Sequence, residues 1–141
     1  MSREKQTFEA KRWLQTARED LAAADTLFQN DLFSHSCFLA QQAAEKAIKA
    51  LWHNSGEEPW GHSIQRLLTV LPDLSIRKEL ESLLPDAVLL DRYYIPTRYP
   101  NGLPDLTPGQ VYFMQDAEAA LRAAVRLVSK VSELMAEEEE G

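Results

Sequence analysis

Three stretches of this chain place apolar residues at alternating steps of three and four, and that spacing constrains its fold more than any other feature. In the first, Ala10, Leu14, Ala17, Leu21, Ala24 and Phe28 share one helical face, with Lys11, Arg12, Arg18, Glu19 and Asp25 opposite, until Asn30-Asp31 supplies a stop. The second puts Phe33, Cys37, Ala40, Ala44, Ile48 and Leu51 on one side. It ends at Asn54-Ser55-Gly56, where the glycine suits the left-handed residue after a helix. The third runs Met114, Ala117, Leu121, Ala124, Val128, Val131 and Met135 toward an acidic end. Between them, His62-Ser63 leads into Ile64, Leu67, Leu68 and Leu71, a short helix that Pro72 closes. A further helix is expected over 76–84, and Pro85 either kinks it or opens a separate piece over 86–94. Pro96, Pro100, Pro104 and Pro108 with Gly102 and Gly109 make 95–110 a Pro-rich loop, and Thr107-Pro108 reads as the N-cap and first residue of the last helix. No stretch alternates with period two as a half-buried strand does. The expected fold is all-α, an up-and-down bundle of four to five helices.

Composition bounds the rest. The 141 residues, 45% hydrophobic, suffice for one core, so a single domain over 1–141 is expected. Fifteen Lys+Arg face 22 Asp+Glu for a net charge of -7, which excludes a coat for duplex nucleic acid or an anionic membrane and leaves room only for a local basic site. Part of that acidity is a terminal run, Glu137, Glu138, Glu139 and Glu140, so 137–141 is expected to be a frayed, solvated tail without function. The one cysteine, Cys37, excludes an internal disulfide and suits a reducing compartment. With a charged N-terminus and no apolar run near about 18 residues, a cytoplasmic protein is expected. His35, His53 and His62 lie too far apart for zinc-ligand spacing, so neither a metal nor a cofactor is expected. His62, at a helix start, either caps it or contacts an anion, the cap being the preferred role. None of Trp13, Trp52 and Trp60 needs a function, and Trp60, in a connector, is equally suited to plug an interface. There is no Gly-rich phosphate loop, no Gly-x-Ser-x-Gly, and no Gly-Ser with trailing Asp-x-Asp, so the chain is not itself a nucleotidyltransferase.

Two stretches are costly for a merely structural bundle. In 41–51, Gln42, Glu45 and Lys49 share a helical face, Glu45 standing four residues before Lys49 in the favourable order. They form either a solvated, salt-bridged stripe or a lysine held ready for phosphate. In 90–100, Asp91, Arg92, Tyr93, Tyr94, Arg98 and Tyr99 crowd a helix end and a proline-stiffened turn. Either the tyrosines anchor the loop and Arg98 pairs with Asp91, or rings and guanidinium receive a nucleotide's base and phosphate.

Together these stretches resemble the HEPN family, the higher-eukaryote and prokaryote nucleotide-binding domain. The resemblance rests on Gln41-Gln42-Ala43-Ala44-Glu45-Lys46, on Lys49-Ala50, on His62-Ser63-Ile64 and on Tyr94-Ile95-Pro96-Thr97-Arg98-Tyr99-Pro100, and it spans nearly the whole chain. It implies a helical bundle, commonly a homodimer, that in bacteria and archaea often accompanies a minimal nucleotidyltransferase in a toxin-antitoxin pair. Family ribonucleases use an Arg followed after four to six residues by His. Here Arg98 takes the Arg position and no His follows it anywhere. The resemblance therefore points to the non-cleaving, nucleotide-binding branch, without a catalytic residue. Its candidate site is Lys46, Lys49 and Arg98 for phosphate, Tyr94 and Tyr99 for stacking or hydrogen bonding, and Asp91 to orient Arg98 or a ribose hydroxyl. The alternative is an endoribonuclease toxin acting through Arg98 without metal, a tyrosine handling the proton.

Overall fold

In the computed structural model, which describes residues 2–140, three long helices form the frame and four short ones fill the return between the second and the third. Helix α1 covers Arg3–Gln29, α2 Phe33–Asn54, α3 Ile64–Thr69, α4 Leu74–Glu79, α5 Leu84–Asp91, α6 Pro108–Val111 and α7 Met114–Glu140. No strand is present among the described residues, and none of their helices is long and apolar enough to cross a membrane.

Each long helix follows its apolar spacing, save that Met114 at the start of α7 is exposed. Ser2 caps α1 by accepting from the Lys5 amide, which starts the helix seven residues before the first apolar position. Asp31, at φ +61°, turns the chain directly into α2, and Gly56, at φ +79°, releases it from α2 as expected. Ala10, Ala17 and Ala24 of α1 and Ala40, Ala43, Ala44 and Ala47 of α2 are fully buried, and their small side chains let helix backbones approach closely. Helix α2 packs against both other long helices, α1 and α7, and α7 supplies Ala120, Ala124, Leu127 and Val131 to the same core. Helix α1 runs against both: Arg3 at its start meets Asn54 at the end of α2 and Glu138 near the end of α7. Cys37 is buried in this core, and desolvation pushes its thiol up to about 12, leaving it a packing residue.

The return segment breaks into more pieces than four or five helices would supply, and each break has a local cause. Asp73 accepts from the Ser75 and Ile76 amides and starts α4 at Leu74; a 3-10 turn over Glu81–Leu83 follows; Pro85 sits in the first turn of α5. Of the two readings of Pro85, the separate helix is the one formed, and it ends at Asp91 rather than Tyr94. Thr107 and Pro108 do open a helix, with a Thr107/Gln110 capping box, but it is the one-turn α6 and not the last helix. Extended Tyr112 interrupts the path, and Phe113 donates its amide to Asp116 where α7 begins. The Pro-rich stretch therefore holds a 3-10 turn at Pro100–Gly102 and a helical turn from Pro108.

The acidic end is helical and its four glutamates are exposed. Helix α7 continues through Glu140, with Glu139 pairing to Lys11 at 2.5 Å and Glu138 accepting from Asn54. Gly141, the last residue of that expected tail, lies outside the described residues.

His53 on α2 is buried against Trp13 of α1, ring centroids 5.1 Å apart, and its Nε2 has no hydrogen-bond partner. Burial lowers its pKa below the ordinary value, outweighing the attraction of Glu58 and Glu9, while Lys49 lowers it further. The unfolded chain therefore binds this proton more readily than the folded one. The stabilising effect of a neutral His53 is complete above the ordinary value near 6.5 and is lost as pH falls below it. Melting temperature is expected to fall between pH 7.5 and pH 5, with a shallower fall in His53→Leu, measured by circular dichroism.

Candidate functional site

The structure gathers side chains from α2, from the loop before α3 and from the turn after α5. On α2, Glu45 and Lys49 are one turn apart, but they are not the solvated stripe: both are buried, and Lys49 Nζ donates to Glu45 Oε2 at 3.0 Å. The other Glu45 oxygen accepts from Gln41 Nε2 at 3.1 Å, and the Lys49 ammonium lies 5.8 Å from the centre of the Trp13 ring. The remaining contact of Glu45 reaches outward. Its Oε2 is 3.4 Å from Nδ1 of His62, whose side chain is 57% exposed.

His62 is not the cap of α3. Ser63 takes that position, its hydroxyl accepting from the Arg66 amide, because a compact side-chain oxygen suits a helix start. The imidazole instead stacks on Tyr94, centroids 4.7 Å apart and planes 20° off parallel. What brings these two rings together is Asp91, the last residue of α5. Its carboxylate accepts from the Ile64 amide at 2.7 Å, the Gln65 amide at 3.0 Å and the Ser63 hydroxyl at 3.0 Å, so α5 ends by capping α3. Neither the expected Asp91–Arg98 pair nor an orienting role for Asp91 toward Arg98 is present, since both its oxygens are engaged at α3.

Arg98 returns over aromatic rings. The turn that carries it is held by buried Thr97, which donates to the Tyr93 carbonyl, and by Arg98 Nε, which donates to the Tyr94 carbonyl at 2.9 Å. Its guanidinium carbon lies 4.4 Å from the Phe38 ring centre, 4.7 Å from Tyr94 and 5.1 Å from Tyr99. Arg98 is exposed and has no carboxylate partner among the described residues. Tyr94 is thus the shared platform: His62 and Arg98 both rest on it, no more than twice 4.7 Å from one another.

Of the six residues assigned from sequence, Tyr94, Arg98 and Tyr99 are brought together. Lys46 is engaged elsewhere, pairing with Asp20 of α1 at 2.5 Å; Lys49 is engaged with Glu45, and Asp91 with α3. Adjacent Tyr93 turns inward against Tyr112, and desolvation pushes its phenol up to about 12. Sequence reasoning missed Glu45, His62 and Phe38 as members of the site. For Glu45 a signal existed, since Gln41 and Lys49 flank it four residues either side, and for His62 as well, since anion contact was one of its two roles and His62-Ser63-Ile64 is part of the family resemblance; Phe38 carried none. Among the described residues no group of His, Cys, Asp and Glu is arranged to hold a metal ion.

Comparison with known proteins places this arrangement. The model of the HEPN domain matches residues 10–134. The crystal structure of TT1696 from Thermus thermophilus is similar at TM-score 0.81 and 40% identity, covering 88% of this chain and 96% of that one. That of ST0689, an archaeal HEPN homologue, is similar at TM-score 0.73 and 32% identity, covering 89% and 97%. A curated relative from Methanocaldococcus jannaschii, named "Putative toxin MJ1304", is 27% identical over 135 residues, which is 91% of this chain and 89% of its own. The helical frame and the match across nearly all of its length agree: this chain belongs to the HEPN domain family.

Proposed function

We propose that this chain is a toxin-like HEPN module that binds the phosphate of a nucleotide or RNA on its Arg98 face. The observation that carries the reading is an exposed guanidinium without a carboxylate partner among the described residues, framed by Phe38, Tyr94 and Tyr99. A guanidinium keeps its charge at every working pH and presents a fork of donors that matches phosphate, while ring faces beside it accept a base. Lys49 and Glu45 serve this face from behind: Lys49 holds Glu45, Glu45 faces His62 Nδ1, and the imidazole is left with Nε2 for a ligand. The toxin-like character draws on the M. jannaschii relative. A minimal nucleotidyltransferase as partner and a homodimer belong to the same proposal and draw on the family resemblance; a cytoplasmic setting belongs to it too and draws on the charged N-terminus and the single cysteine.

The test is a thermal-shift panel with ATP, GTP, CTP, UTP and a short RNA, on the native protein and Arg98→Ala. A ligand at a hundredfold its Kd stabilises a folded protein by about 2.7 kcal/mol, a rise of several degrees, and Arg98→Ala is expected to abolish it. No rise with any ligand overturns the reading.

One observation favours a second reading, the endoribonuclease. An imidazole does share the Tyr94 ring with the arginine, His62 and Arg98 each lying 4.7 Å from its centre, and His62 comes from the N-terminal side. In that reaction His62 Nε2 takes the proton of a ribose 2′-hydroxyl and the 2′-oxygen attacks the neighbouring phosphorus. The bond from phosphorus to the 5′-oxygen breaks, and that oxygen takes a proton from water, while Arg98 offsets the charge gathering on the phosphate. RNA from the same samples, run on a gel, decides: cutting that Arg98→Ala and His62→Ala both lose selects this reading, and intact RNA at protein excess removes it.

A further inference from the structure

The connector between α2 and α3 holds the most exposed of the three tryptophans. Trp52 is buried and donates to the Leu67 carbonyl, and Trp13 stacks on His53 and donates to Glu9. Trp60 is 65% exposed, and its indole N–H makes no hydrogen bond among the described residues. The ring is nevertheless held in place. Gly61, at φ +89°, a conformation that glycine adopts without strain, turns the connector over the start of α3. Arg66 Nη1 lies 3.9 Å from where a side chain on Gly61 would begin, and the Arg66 guanidinium carbon lies 3.9 Å from the Trp60 ring centre. Arg66 has no carboxylate partner among the described residues, and its Nη1 is buried without an acceptor. Val70 stands one helical turn beyond Arg66 on the same side of α3, its amide donating to the Arg66 carbonyl at 3.0 Å, and it is 43% exposed. Glu57 and Glu58, both exposed, precede Trp60 by three and two residues, so their backbone lies within about 11 Å of it even where the chain is extended. Neither has a cation partner among the described residues.

An exposed indole seated on an ordered arginine has the composition of an interface anchor. Trp and Arg are enriched among the residues that carry binding energy between proteins, and a side chain already held loses little freedom on docking. We propose that Trp60, Arg66 and Val70 anchor a docking surface for a partner protein. Its bound segment sets an apolar side chain on the indole, a carboxylate on Arg66 and a basic side chain opposite Glu57 and Glu58. Charge complementarity selects this occupant, because one uncompensated cation stands close to two uncompensated carboxylates. A nucleic-acid strand brings only negative charge, which Glu57, Glu58 and the net charge of -7 repel. A polypeptide brings both signs and an apolar group within a few residues. The surface goes beyond the phosphate-binding reading of Arg98 and does not rest on it.

The probe is a phage-displayed library of random peptides of about 12 residues, panned on the immobilised native chain. Enriched peptides are expected to share an apolar residue beside Asp or Glu with a Lys or Arg nearby. The tightest of them, made synthetically, is titrated by calorimetry on the native chain, Trp60→Ala and Arg66→Gln. Trp60→Ala is expected to raise its Kd about 30-fold or more, the loss of an anchoring residue. Because the ring is exposed, Trp60→Ala is expected to melt as the native chain does, which separates lost binding from lost folding. Arg66→Gln and an amide in place of the peptide's acid are each expected to weaken binding about 10-fold, and together by little more, since both remove one contact. No enriched peptide, enriched peptides without an acid, or unchanged binding by Trp60→Ala overturns the surface. So does a short oligouridylate that the native chain binds and Trp60→Ala does not, which gives the ring to nucleic acid. A native dimer that Trp60→Ala turns into a monomer on sedimentation gives the patch to a second copy and overturns it as well.

Discussion

Replacing Glu45 with alanine is expected to destabilise the fold by about 3–5 kcal/mol, the range for removing one partner of a buried ion pair. The size follows from what is left behind. Lys49 keeps its ammonium inside the bundle with 10% of its side chain exposed, and the acceptor at 3.0 Å is gone. Gln41, fully buried, loses the acceptor of its amide at 3.1 Å as well, though it retains a longer contact at 3.4 Å to the His62 carbonyl. Against a total stability of roughly 5–15 kcal/mol this is a large fraction. The companion double variant Glu45→Leu/Lys49→Met removes both charges with similar volume and is expected to recover most of the loss, because a buried pair repays little more than its own desolvation. Urea denaturation monitored at 222 nm measures all three proteins. A Glu45→Ala chain within about 1 kcal/mol of native, the size of an exposed pair, would show that solvent reaches this pair freely.

Asp91→Ala is the second large effect, expected at about 3 kcal/mol. Three donors converge on this carboxylate, two of them amides at the start of α3, and hydrogen bonds to a charged acceptor contribute more than neutral ones. Their loss unfastens α3 from α5, so the change reaches the candidate face through His62, one residue before the α3 cap. Asp91→Asn, which keeps an acceptor oxygen, is expected to lose about half as much. If Asp91 instead oriented a ligand, Asp91→Ala would leave denaturation unchanged and weaken only binding, and the same urea titration separates these outcomes.

These two residues also mark where the sequence was legible. The acid-first pair Glu45 and Lys49 was visible as an i,i+4 interaction, but the spacing is identical for a solvated stripe and a buried pair. What buries it is Trp13 from α1 and the His62 loop, neither of which is near in sequence. Asp91 was visible as a polar residue three positions before Tyr94, and the partner the sequence suggested for it was Arg98. Its actual partners lie 26 to 28 residues earlier, and a helix start with free amides is a better acceptor's partner than an arginine already seated on rings.

By itself the sequence determined the three long helices, the class of the fold and the stops at Asp31 and Gly56. Each follows from steps of three and four or from a residue suited to a left-handed turn, and such information is local. It also marked Tyr94, Arg98 and Tyr99 as a group, because they are carried by one turn. Only the tertiary structure decided that His62 stacks on Tyr94, that Glu45 stands behind it, that Lys46 pairs with Asp20 and that Asp91 accepts from the start of α3. Those outcomes depend on how α3 docks on α5 and how α1 and the return segment cover α2, and no periodicity within one helix encodes which face a distant segment will cover.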